Sequence, residues 1–170
     1  ISRGLVGSEM CIRDRVERRF NKVFDFNGVT FFDDYAHHPT EIKEVLNGVK
    51  KSFLNKKVIS IFQPHRISRL NDLSNDFSKS FKNSDQVLLC PVYKAGEKIK
   101  LKFKYEKFAR DISKNSKALV IMVNQKQDLV NFFKNNLKGN EIVIGMGAGS
   151  ISGLSLIHIS EPTRPLDISY

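Results

Sequence analysis

The feature that most constrains the fold is an alternation of strand-like and helix-like segments. Short apolar runs at residues 58–62, 87–90, 118–123 and 141–144 have the composition of buried strands. Between them, apolar residues recur at helical spacing, and this spacing predicts helices after Pro39 and over residues 67–81, 105–113 and 129–137. Strands that alternate with helices of this length form parallel sheets. The sequence therefore predicts a three-layer α/β domain, in which helices cover both faces of a mainly parallel sheet.

A hairpin is predicted to open the domain. Residues 20–26 and 29–35 are rich in aromatic and β-branched residues, and they flank Asn27-Gly28. This dipeptide is typical of a two-residue turn between antiparallel strands.

The two ends of the chain differ from its middle. Residues 1–15 and 153–170 lack the periodicity and the richness in lysine and asparagine of the segment between them, and they resemble translated sequencing adapter. We expect both ends to be non-native and the natural domain to occupy residues 16–152.

Composition narrows the class of protein. The net charge of +10 comes from lysines that are dispersed among Asn and Ser, as on a solvated surface, so no nucleic-acid partner is expected. No run approaches the roughly 20 apolar residues of a membrane helix, and no signal peptide is present, so we expect a cytoplasmic protein without a membrane partner. Cys11 and Cys90 form no disulfide framework or zinc motif, and Cys90 is predicted to pack in the core.

Ligands of open α/β sheets bind beyond the carboxyl ends of the strands. Two strand-to-helix turns of this sequence are therefore candidate binding sites. The first turn contains Asp33-Asp34-Tyr35-Ala36-His37-His38-Pro39. A helix cap with packed or solvated histidines explains it without a ligand. A zinc site is less well supported, because adjacent histidines point in different directions and further ligands at suitable spacing are missing, so no metal site is predicted here.

The second turn contains Gln63-Pro64-His65-Arg66-Ile67-Ser68-Arg69. Arg66 and Arg69 would lie on one face of a helix near its amino terminus, where the helix dipole disfavours cations. This arrangement predicts a bound carboxylate or phosphate. Taken alone, Arg69 is also compatible with a solvated surface position.

Two further strand-end segments carry weaker signals. The glycine-rich run Gly145-Met146-Gly147-Ala148-Gly149-Ser150 could cradle an anion, although it matches neither a P-loop nor a complete dinucleotide motif. Residues 91–97 are compatible with a plain loop, and no catalytic role is assigned to them.

Four motifs together resemble the carboxy-terminal domain of the Mur ligases. They are DDYAHHPTEI, FQPHRISR, PVYKAGE and GMGAGSIS, and VERRF before the hairpin also fits. The resemblance covers residues 16–152 and implies a Rossmann-like fold. The paired arginines of FQPHRISR favour the branch that joins L-alanine to UDP-N-acetylmuramate. A murein-tripeptide recycling ligase and a stand-alone basic RNA-binding module remain as alternatives.

The resemblance also implies a reaction. Family members make an amide bond in peptidoglycan synthesis through an acyl phosphate, using ATP and Mg²⁺, and the metal ligands lie mainly in a central domain. Amino-terminal and central domains would complete the enzyme, so the chain alone is expected to be inactive. The family pattern continues with a helix beyond Ile151, and its absence from the sequence would leave one face of the last strand uncovered.

Residue roles follow from the same resemblance. His37, His65 and Arg66 would be catalytic, and Asp34 would bind the ATP ribose. The implied substrate-binding residues are Tyr35, His37, His65, Arg66 and Arg69. His38 is expected to be structural, and residues 147–150 are expected to shape the wall of the cleft.

Overall fold

The computed structural model describes residues 19–97 and 103–148. The predictions for residues 1–15 and 153–170, for the helix beyond Ile151 and for the end of the glycine-rich run lie outside the described residues.

The described residues form a six-stranded sheet. Its strands are β1 (Asn21–Phe26), β2 (Val29–Asp34), β3 (Lys57–Phe62), β4 (Gln86–Leu89), β5 (Leu119–Met122) and β6 (Glu141–Met146). Their order across the sheet is β1-β2-β6-β3-β4-β5, and only the β1–β2 pair is antiparallel. The prediction of a mainly parallel sheet opened by a hairpin is confirmed.

The hairpin turn has the predicted chemistry. Asn27 and Gly28 have φ angles of 48° and 81°, and type I′ turns require positive values at both positions. A Cβ atom at Gly28 would lie 2.6 Å from the carbonyl oxygen of Gly139, so the turn also needs glycine for space.

Five helices connect the strands within the described residues. They are α1 (Pro39–Ser52), α2 (Ile67–Asp72), α3 (Ser74–Ser80), α4 (Tyr105–Ser116) and α5 (Lys126–Asn136). The start of α1 is encoded locally. His38 accepts a hydrogen bond from the backbone N–H of Thr40, and Glu41 accepts from the backbone N–H groups of His37 and His38. The expected structural role of His38 is therefore confirmed.

The single helix predicted over residues 67–81 is wrong. Two short helices meet at Leu73, whose backbone angles are φ −113° and ψ 17°. The junction is rich in Asn, Asp and Ser, whose side chains compete for backbone hydrogen bonds and favour helix ends over helix interiors. Apolar periodicity alone does not reveal such a break.

Two cores lie on opposite faces of the sheet, which confirms the three-layer prediction. Ile42 of α1, Phe77 of α3 and Phe108 of α4 pack on one face, and Phe132 and Phe133 of α5 pack on the other. Cys90 is buried in the second core, as predicted. None of the helices in the described ranges is long and apolar enough to span a membrane.

The order of the strands decides where the two candidate turns meet. Strand β6 lies between β2 and β3, and its last residue, Met146, is paired with both Asp34 and Phe62. Because all three strands are parallel, the residues that follow them emerge at the same edge of the sheet.

Candidate active site

A row of four rings crosses this edge of the sheet. Tyr35 and His37 have ring centroids 5.0 Å apart, His37 and His65 are separated by 5.8 Å, and His65 and Tyr93 by 5.7 Å. Residues that follow β2, β3 and β4 are thus brought together. The two turns selected from the sequence form one site.

The turn after β3 has an unusual backbone. Arg66 has φ 67° and ψ 131°, a conformation that non-glycine residues rarely adopt. Its backbone N–H donates to the carbonyl oxygen of Tyr93 at 2.9 Å, and the N–H of Tyr93 donates to the carbonyl oxygen of Pro64 at 2.8 Å. Helix α2 begins only at Ile67, so the prediction that both arginines lie on one helical face is wrong. Arg66 is exposed and precedes the helix, whereas Arg69 is half-buried within it.

Three polar atoms of this turn are buried and have no hydrogen-bond partner among the described residues. They are Oε1 of Gln63, Nδ1 of His65 and Nη1 of Arg69. Buried polar groups are nearly always paired, so such atoms mark a place where a ligand or water completes the hydrogen bonding. The sequence singled out His65 and Arg69 for chemistry but missed Gln63.

The electrostatics of His65 follow from its surroundings. Burial lowers the pKa of this imidazole, the positive charges of Arg69 and Arg66 lower it further, and the negative charge of Glu97 opposes them. His65 is therefore neutral at pH 7, and one of its ring nitrogens is able to accept a hydrogen bond.

Asp34 lies at the end of β2, on the wall of a cleft of about 490 Å³ that Tyr35, His37 and Glu41 also line. Its Oδ2 accepts from the backbone N–H of Phe20 and its Oδ1 from that of Ala36, both at 2.7 Å. Burial raises the pKa of the carboxyl group, and the two hydrogen bonds oppose this effect. The carboxylate thus fixes the chain just before β1 and just after β2.

His37 faces the site, whereas its neighbour His38 caps α1. Nδ1 of His37 lies 2.9 Å from the carbonyl oxygen of Tyr35 and 3.5 Å from Oε2 of Glu41. Within residues 19–97 and 103–148, no group of three or more His, Cys, Asp or Glu side chains is arranged to hold a metal ion.

The glycine-rich turn closes the site from the side of β6. Gly147 is buried with φ 151°, and a Cβ atom there would lie 2.8 Å from the carbonyl oxygen of Gln63. Its N–H donates to the carbonyl oxygen of Asp34 at 3.3 Å. The backbone at this position therefore links the ends of β2, β3 and β6.

The loop after β4, to which the sequence assigned no role, contacts the same turn. Glu97 accepts a hydrogen bond from the backbone N–H of Ile67 at 2.8 Å through Oε2, and another from the hydroxyl of Ser68 through Oε1. No local pattern in the sequence indicates these contacts, because they join positions about 30 residues apart.

Comparison with known proteins agrees with this architecture. Residues 18–149 match the family described as Mur ligase, glutamate ligase domain. The chain belongs to the Mur ligase family. A UDP-N-acetylmuramate–L-alanine ligase from Pelagibacter ubique is 61% identical over 137 residues, which are 81% of this chain and 30% of that protein. This Mur ligase chain thus spans about a third of the length of the curated relatives it matches.

Solved structures show the same fold. A UDP-N-acetylmuramate-alanine ligase from Thermotoga maritima is 27% identical with a TM-score of 0.64, and the match covers 84% of this chain and 29% of that one. A murein peptide ligase from Psychrobacter arcticus has a TM-score of 0.70 at 20% identity, and the match covers 88% of this chain and 31% of that one. The second similarity concerns the fold alone. The Rossmann-like Mur ligase fold expected from the motifs is confirmed.

Proposed function

We propose that this Mur ligase domain is the carboxy-terminal part of an ATP-dependent ligase that joins L-alanine to UDP-N-acetylmuramate in peptidoglycan synthesis. The observation that carries the proposal is the 61% identity to a UDP-N-acetylmuramate–L-alanine ligase over 81% of the chain. The matching region includes the turn that brings His65, Arg66 and Arg69 beside Tyr35 and His37.

The geometry supports a binding site for the carboxylate of L-alanine. The buried Nη1 of Arg69 has no partner among the described residues, and a guanidinium binds carboxylates through charge-assisted hydrogen bonds. His65 lies close enough for the charge of Arg69 to lower its pKa, so the imidazole and the guanidinium line the same site. Tyr35 and His37 complete the wall through the row of rings.

Catalysis would rest mainly on position and charge. In the proposed reaction the muramyl carboxylate is activated as an acyl phosphate, and the amine of L-alanine then attacks the acyl carbon and phosphate leaves. Arg66 is exposed at the edge of the site, where its charge would stabilise the anionic groups of the transition state, and His37 and His65 would lie side by side next to the reacting amine. Holding the amine against the acyl carbon removes much of the entropic barrier.

The nucleotide is assigned to the cleft beside Asp34. Each carboxylate oxygen of Asp34 accepts one backbone hydrogen bond and keeps a further lone pair, which fits acceptance from a ribose hydroxyl. ATP, when bound, supplies the phosphoryl group. The family resemblance assigns the Mg²⁺ ligands mainly to the central domain of the enzyme, where the metal would act on the phosphates of ATP. With ATP and a UDP-linked sugar as its proposed substrates, the reaction is assigned to the cytoplasm.

The proposal is tested in a chimera in which residues 18–149 replace the matching region of the Pelagibacter ubique ligase. Phosphate release should require UDP-N-acetylmuramate, ATP and L-alanine together, and the isolated chain should show none. A folded chimera without L-alanine-dependent release would contradict the proposal. Faster release with murein tripeptide than with L-alanine would instead assign the domain to a recycling ligase.

A further inference from the structure

The loop formed by residues 91–97 makes both backbone and side-chain hydrogen bonds to the turn that carries His65 and Arg66. Its backbone joins the turn through the two hydrogen bonds between Tyr93 and the pair Pro64 and Arg66. Its last described side chain, Glu97, bonds to Ile67 and Ser68, the first two residues of α2. The loop itself is tied back by the N–H of Glu97, which donates to the carbonyl oxygen of Lys94 at 3.0 Å.

The turn needs such support because its backbone is strained. Arg66 has a positive φ angle, and a strained conformation of this kind persists only where its surroundings fix it. No side-chain hydrogen bond caps α2 from Arg66. Glu97 satisfies a free N–H group at the start of α2 instead, and it does so from a separate part of the chain.

We propose that Glu97 is a positioning residue, which fixes the turn so that His65, Arg66 and Arg69 are held ready for the amino-acid carboxylate. This inference rests on the proposed function. Glu97 does not itself touch the substrate; it acts through Ile67 and Ser68. A rigid turn binds its ligand more tightly because the ordering of the turn has been completed during folding.

The chemistry of Glu97 suits this role. The hydrogen bond from Ser68 lowers the pKa of the carboxyl group, so Glu97 is ionised at neutral pH and both oxygens accept. Glutamine would keep both contacts, because its amide oxygen accepts from Ile67 and its amide nitrogen donates to the Ser68 hydroxyl, which is able to accept as well. Alanine would remove both.

The experiment uses the active chimera and compares Glu97→Ala, Glu97→Gln and Ser68→Ala. We expect Glu97→Ala to raise KM for L-alanine about tenfold while kcat changes far less, because loss of a charge-assisted and a backbone contact loosens the binding turn. Ser68→Ala should raise KM about threefold, because one of the two bonds remains. Glu97→Gln should recover most of the loss. The matched control is Glu106→Ala, which removes an exposed carboxylate from the first turn of α4 and should leave KM unchanged.

An unchanged KM for L-alanine in a folded Glu97→Ala variant would overturn the inference, even if its thermal stability fell. If that variant does not fold, Ser68→Ala decides, and an unchanged KM there has the same consequence. A parent chimera that does not use L-alanine would instead refute the proposed function, so the two failures are distinguishable.

Discussion

Substitution of Arg69 gives the most direct test of the anion site. The Arg69 side chain is half-buried on α2, and its Nη1 is shielded from solvent without a hydrogen-bond partner among the described residues. Arg69→Ala should therefore remove a hydrogen bond that forms only when the ligand carboxylate is present. A hydrogen bond to a charged group contributes about 1.5–3 kcal/mol.

This free energy predicts the kinetic effect. At 25 °C it corresponds to a loss of about 10- to 150-fold in kcat/KM for L-alanine. Arg69→Lys should recover only part of the loss, because an ammonium keeps the charge but lacks the planar fork that grips a carboxylate. The melting temperature should change by no more than about 3 °C, because the buried nitrogen makes no hydrogen bond that the fold would lose.

The assay is L-alanine-dependent phosphate release by the chimera, measured over a range of L-alanine concentrations at saturating nucleotide substrates. Near-normal kcat/KM in both Arg69 variants, with unchanged stability, would refute the anion site. A large fall in stability together with unchanged kcat/KM would show that Arg69 serves the fold.

Three further predictions concern the site and the core. The pKa of His65 in the folded chain lies below its ordinary value of 6.5, so on acidification the imidazole is protonated first in the unfolded chain. The free energy of unfolding should therefore fall as the pH drops below about 6.5. The melting temperature of His65→Gln should depend less on pH in this range than that of the parent chain. Gly147→Ala should destabilise the chain by about 1–3 kcal/mol in chemical unfolding, because a Cβ atom would lie 2.8 Å from the carbonyl oxygen of Gln63; an unaffected variant would mean that this turn relaxes freely. Burial raises the pKa of Cys90 to about 12, so in a Cys11→Ser background a disulfide reagent should label the chain only after denaturation.

The layers of the fold could be predicted because each segment carries its own signal. Apolar periodicity identified α1, and Asn27-Gly28 identified the hairpin with its two positive φ angles. The position of β6 between β2 and β3 could not be predicted from local patterns, because strand order depends on contacts between distant segments. The resemblance of the motifs to the Mur ligases did imply the fold, and with it the order of the strands.

Some residues of the candidate site could be predicted from the sequence in the same way, and others could not. Tyr35, His37 and His65 stand out as polar or aromatic residues at strand ends, and the structure brings their rings together. Gln63 and Glu97 lie in the same kind of strand-end segment, but nothing in the sequence was a reason to assign either of them a role. Gln63 is notable because its buried Oε1 has no partner among the described residues, and Glu97 because it accepts hydrogen bonds from Ile67 and Ser68. Both features depend on the folded chain.

The physical reason for expecting an anion at the arginines changes once the structure is known. In the sequence, Arg66 and Arg69 are expected at a helix amino terminus, where an anionic ligand would compensate the unfavourable interaction of two cations with the helix dipole. In the folded chain Arg66 precedes α2, and the carboxylate of Glu97 already accepts from the first N–H group of that helix. The buried Nη1 of Arg69, which has no partner among the described residues, therefore indicates the ligand carboxylate, and the helix dipole does not. Arg69→Ala and Glu97→Ala separate these two contributions, because the first removes the group that would bind the ligand and the second removes only the support of its turn.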